Sequence, residues 1–84
     1  MSVPTLEPAQ RDTVNLPPTD SYRPADRVWV HRGSAWCAGV VESCSTRAAT
    51  VRYRPTTSRG TAVDTVTALY LARRAERDPV LDGR

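Results

Sequence analysis

The 84-residue chain has no Phe, no Lys, one Met and one His, so its apolar bulk is thin. The large side chains come down to Trp29, Trp36, Tyr22, Tyr53 and Tyr70, with valine supplying much of the rest. A chain this short is one domain near the lower limit for a single core, with no room for a deep active site. Cysteine is scarce too. If Cys37 and Cys44 share one continuous strand, a rise of about 3.3 Å per residue puts them beyond disulfide reach, and their odd spacing points them to opposite faces. Free thiols are therefore expected. The lone His31 has no Cys or acid at ligand spacing and reads as a surface or rim imidazole, so no metal and no cofactor are expected. No nucleophile elbow, glycine-rich phosphate loop or paired carboxylates are visible, which leaves catalysis nothing to rest on and no small-molecule substrate to expect. Met1 to Leu6 lacks a basic start followed by an apolar run, and no stretch approaches the length of a membrane span. The expectation is a soluble, cytoplasmic protein with no membrane partner.

The absence of Lys makes every one of the twelve bases an Arg. A GC-rich coding sequence produces that bias as readily as selection for phosphate-matching forks. The net charge of +3 hides an uneven distribution. Residues 1–22 hold Arg11 against Glu7, Asp12 and Asp20, whereas residues 23–77 hold ten Arg against Asp26, Glu42, Asp64 and Glu76. The central segment is strongly basic.

Proline divides the chain. Pro4, Pro8, Pro17, Pro18 and Pro24 fall in the first two dozen residues, which carry no apolar periodicity. Such a segment buries too little to offset its ordering entropy, so residues 1–23 are expected to form a disordered tail, residues 24–77 the domain and residues 78–84 a flexible C-terminus. Arg27-Val28-Trp29-Val30-His31-Arg32 alternates as a strand, Gly33-Ser34 makes a tight turn, and Trp36 to Ser43 returns as its hairpin partner. In the next strand Ala49, Val51 and Tyr53 share a core face while Thr50, Arg52 and Arg54 share a wet one. Pro55 to Gly60 reads as an exposed loop and Thr61 to Val66 as a fourth strand. A short 3-10 turn over Thr67 to Tyr70 then leads to a closing strand at Leu71-Ala72-Arg73, in preference to a helix that would have to stop at Asp78-Pro79. Short strands with regularly spaced turns predict an all-β, five-stranded small barrel, since closure removes open edges.

Asp26-Arg27-Val28-Trp29-Val30, Trp36 with Gly39-Val40-Val41, Val51-Arg52-Tyr53, Val63 to Val66 and Leu71 together resemble the Tudor pattern within the SH3-like barrels. The resemblance covers about fifty residues, and chromo-like, Agenet-like and KOW-like barrels share much of it. Tudor domains are non-catalytic readers that hold a methylated Lys or Arg against aromatic ring faces. Carried over, Trp36 and Tyr53 would be two cage walls, with Trp29 or Tyr70 completing the set. The family's further aromatic after Tyr53 is missing, because Pro55-Thr56-Thr57-Ser58-Arg59-Gly60 stands there. The same aromatics also read as barrel core or rim packing.

Two ligand classes remain open. In the first, a basic face of Arg52 and Arg54, with Arg32 and Arg47 in adjoining elements and Arg59 in the loop, contacts nucleic acid. Residues two apart on a strand stand about 6–7 Å apart, close to the spacing of successive phosphates. The run Arg73-Arg74-Ala75-Glu76-Arg77 extends the positive potential. In the second, a groove of Trp29, Trp36, Tyr53 and Tyr70 docks an acidic or other protein segment, including a second copy of the chain.

Overall fold

The computed structural model describes residues 4, 7–11, 14, 16–55 and 60–75. Five antiparallel strands, β1 (Arg27–Arg32), β2 (Ala35–Cys44), β3 (Ala49–Tyr53), β4 (Ala62–Val66) and β5 (Leu71–Arg73), form one sheet in the order β4-β3-β2-β1-β5. The described residues include no α-helix, only 3-10 turns at Pro8–Gln10, Thr19–Ser21 and Ala68–Tyr70. The strands and the last of these turns lie where alternation and breaker residues place them. The loop over residues 56–59, with Arg59, and the C-terminus over 78–84 lie outside the described residues.

Local chemistry explains the joints. Gly33 and Ser34 both have positive φ, 59° and 69°, as a two-residue hairpin turn of right-handed twist requires. Ahead of β1, Pro24 and Ala25 occupy the centre of a turn closed by the Asp26 N–H donating to Arg23 O at 3.0 Å, with Ala25 at φ 75°. That unfavourable φ is held by two bonds to β2: Ala25 N–H donates to Val41 O at 2.7 Å, and Val41 N–H to Asp26 O at 3.0 Å.

The core lies on one face and gathers Val28, Val30, Cys37, Val41, Ala49, Val51, Tyr53, Val66 and Leu71, together with Tyr22. β3 follows the expected alternation, its burial switching residue by residue. The strand ladders do not close this sheet into a ring. β4 and β5 are the two edges of the sheet and, among the described residues, do not pair with each other. The three-residue β5 uses its ladder on β1, through Val28↔Arg73, Trp29↔Ala72 and Val30↔Leu71. β1 and β4, with two strands between them, nevertheless meet through Arg32, which reaches Asp64 Oδ2 and Thr65 O. In a flat sheet three strand spacings would separate them by about 14 Å, so the sheet curls around its core.

Two further findings depart from the sequence reading. A bulge between Val41 and Ser43 shifts the β2–β3 register, so that Cys44 pairs with Ala49 on the core side and packs against the same cluster that contains Cys37. The two thiols are free, as expected, but they share a face because the extra residue reverses the alternation. The segment assigned by composition to a disordered tail also supplies buried groups. Pro8, Thr19 and Tyr22 are buried, Thr19 Oγ1 donates to Ser45 O at 2.6 Å, and Cys44 Sγ donates to Tyr22 O at 2.8 Å. One buried aromatic with satisfied neighbours anchors a stretch that has no periodic pattern of its own.

Candidate nucleic-acid interface

Register defines the outer face. Arg27 pairs with Val40, Val40 with Arg52, and Arg52 with Val63, forming one row across four strands. A second row runs from Ala72 through Trp29 to Ala38, whose carbonyl accepts the Arg54 N–H at 2.9 Å. Ala38 and Val40 are buried although they point away from the core, and Trp29 packs against them. The result is a small apolar floor with Arg27, Arg52 and Arg54 around it. Long Arg stems can cover such a floor while their heads stay wet. Two residues along β3 separate Arg52 from Arg54 by about 6.6 Å, and two strand spacings separate Arg27 from Arg52 by about 10 Å.

A cleft of about 440 Å³ opens beside this row, its lining including Pro24, Ala25, Arg27, Val40, Glu42 and Arg52. The bulge turns Glu42 toward Arg52, whose Nε lies 3.4 Å from Glu42 Oε2 without hydrogen-bond alignment. Glu42 is thus the negative counterweight of an otherwise cationic rim.

The other expected bases are dispersed. Arg32 is turned to the rim, where it binds Asp64 at 3.0 Å, and Arg47 is exposed in the β2–β3 turn. The positive run at Arg73-Arg74 does not extend the face. Arg73 lies over the Tyr22 ring at 4.5 Å and donates to Asp26 Oδ2 at 3.0 Å. Arg74 is buried, with Nε donating to Val28 O at 3.1 Å and Nη2 to Gly39 O at 2.9 Å. Arg27, absent from the basic set expected from the sequence, lies in the same outer row as Arg52. Its position two residues before Trp29 was the signal available.

The four aromatics do not share a groove. Tyr53 belongs to the core and stands over Gly39, where an added Cβ would lie 3.0 Å from Tyr53 Cβ. Trp36 lies three residues from Gly39 on an unbroken ladder and so faces the other way. Trp29 belongs to the outer floor. Trp36 instead packs edge-on against His31 at 5.1 Å between ring centroids, and Tyr70 lies 6.5 Å from His31. The N-terminal segment reaches this corner: Arg11 stands over the Trp36 ring at 5.3 Å, and Glu7 Oε1 is 3.1 Å from His31 Nε2. Neither Glu7 nor Arg11 is recognisable in the sequence, because nothing periodic links them to β1 and β2.

Among the described residues no group of three His, Cys, Asp or Glu is placed to hold a metal ion, and no helix is long and apolar enough to cross a membrane. Compared with family models, with curated proteins and with solved structures, the chain matches none.

Proposed function

We propose that the chain is a non-enzymatic interaction module, an SH3-like barrel of the Tudor-like kind, that contacts nucleic acid with Arg27, Arg52 and Arg54. The observation that carries this reading is the placement of those three bases around the apolar floor of Trp29, Ala38 and Val40. The strand order and the 3-10 turn before β5 support the barrel reading, with Arg32 and Asp64 spanning the side that no ladder closes. Phosphates are held by the guanidinium forks, and the half-buried Trp29 offers a ring on which a base stacks. No buried, fully oriented donor set is needed for such contacts, so binding is of low sequence specificity.

Binding of a fluorescent duplex and of a single strand, measured from about 50 mM salt upward, tests the reading. Three neutralised phosphates give a slope of log affinity against log salt of about −2.7 on duplex and about −2 on a single strand. Arg52→Ala and Arg54→Ala each reduce the slope by about one unit. Absence of binding to both nucleic acids at the lowest salt would refute the proposal.

A further inference from the structure

Residues 7–11 form a self-contained turn with a charge at each end. Gln10 N–H donates to Glu7 O at 2.9 Å, Arg11 N–H to Pro8 O at 3.2 Å, and Glu7 N–H to Gln10 Oε1 at 3.1 Å. The turn lies across the corner of His31, Trp36 and Tyr70. Arg11 Nη1 donates to Leu69 O at 2.6 Å, Leu71 O at 2.7 Å and Ala68 O at 3.3 Å, and its guanidinium stands over Trp36. The Ala68 carbonyl, which also accepts the Leu71 N–H, and the carbonyls of Leu69 and Leu71 thus converge on one guanidinium. At the other end Glu7 Oε1 lies 3.1 Å from His31 Nε2, close but without hydrogen-bond alignment.

This contact differs in kind from the rest of the fold. None of residues 7–11 belongs to the core cluster, Ala9 and Gln10 are exposed, and the attachment rests on two charged side chains and Pro8. Burial also lowers the Arg11 pKa, because the guanidinium gives up hydration here. A polar attachment of this size opens locally without disrupting the sheet. Opening exposes a receptor with two fixed subsites, a carbonyl cradle backed by an indole for a guanidinium and an imidazole for a carboxylate.

We infer that this corner is a docking site for a one-turn protein segment bearing a carboxylate four residues before an Arg, and that residues 7–11 occupy it in cis. The inference concerns a different set of residues from the Arg27, Arg52 and Arg54 face and does not rest on the nucleic-acid reading. In cis the segment acts at an effective concentration in the millimolar range, so a competing segment in trans is held off until the arm is withdrawn.

The probe is a synthetic peptide with the sequence of residues 4–14, titrated into the labelled full chain with the Trp36 indole and Tyr70 ring signals as readout. Wild type binds it weakly, Arg11→Ala binds it about tenfold or more tightly, and the same peptide with Ala in place of its Arg does not bind Arg11→Ala. Equal affinity of wild type and Arg11→Ala, or no binding to either, overturns the inference. If Arg11→Ala proves unfolded by its amide spectrum, Glu7→Ala replaces it, since Glu7 is exposed and anchors only one end. It is expected to bind the peptide more tightly than wild type does, and parity would be equally decisive against the site. Duplex binding by the same variants stays unchanged, so the two proposals fail separately.

Discussion

Arg32 Nη2 lies 3.0 Å from Asp64 Oδ2 and 3.3 Å from Thr65 O, joining the first strand to the fourth where no backbone ladder does. The pair is partly exposed, so its coulombic share is small, about 0.5 kcal/mol, and is screened by salt. The bond to Thr65 O survives loss of the acid. Arg32→Ala is therefore expected to lower the urea midpoint more than Asp64→Asn does, and only the Asp64→Asn effect should shrink at high salt. Equal losses from both variants would mean that the strand-to-strand bond to Thr65 contributes nothing.

Gly39 sits where β1, β2 and β3 press together. A Cβ there would lie 2.9 Å from Arg52 O, 3.0 Å from Tyr53 Cβ and 3.1 Å from Val30 Cγ2, none of which is the end of a flexible chain. Gly39→Ala should cost about 1–3 kcal/mol as an overpacking change, read from denaturant unfolding. A neutral outcome would show that β2 and β3 can separate there at no cost.

Tyr22 is 1 % exposed and packs into the core with Arg73 over its ring. Truncation to Ala is expected to cost about 3–5 kcal/mol, comparable to the whole stability of so small a domain. Deleting residues 1–23 should unfold the protein for the same reason. A truncated chain that keeps its dispersed amide spectrum would show that the fold does not depend on residues 1–23.

Asp26 sets part of the acid limb. Its carboxyl is held below the usual carboxylate range, first by the hydrogen bond from the Arg23 N–H and further by the Arg73 guanidinium. A group whose folded pKa lies below its unfolded value of about 3.9 contributes stability above that value and loses it as pH falls through the folded pKa. Thermal melts from neutral pH downward should show wild type losing stability below about pH 4 more steeply than Asp26→Asn. Parallel curves would assign the acid limb to other carboxylates.

Glu42 faces Arg52 on the rim of the cleft. If that face receives phosphates, Glu42→Gln raises nucleic-acid affinity at low salt by removing a repulsive charge and releasing Arg52, an advantage that fades as salt increases. Unchanged or weaker binding would place the phosphates elsewhere.

The strands were legible because β1 and β3 alternate cleanly and because Gly33-Ser34 and Pro55 interrupt them. The same alternation, applied to single residues, already separated Tyr53, which travels with Ala49 and Val51, from Trp36, which travels with Ala38 and Val40. The cage that the resemblance implies would need both on one face, whereas the core or rim reading of the same aromatics does not. The roles of Tyr22 and Arg11 were not legible, since long-range contacts from a proline-rich stretch leave no periodic trace. Nor was the bulge, because no glycine or proline marks Val41 to Ser43.

That bulge gives β2 two reading phases. Up to Val41 the odd-numbered side chains face the core, and at Cys44 an even-numbered one does. Removing the one extra residue between them would therefore regularise the ladder rather than invert it, leaving Cys44 opposite Ala49 on the core side with its thiol still donating to the Tyr22 carbonyl. This short stretch of β2 is consequently the one place in the strand that can lose a residue without turning the side chains beyond it to the other face.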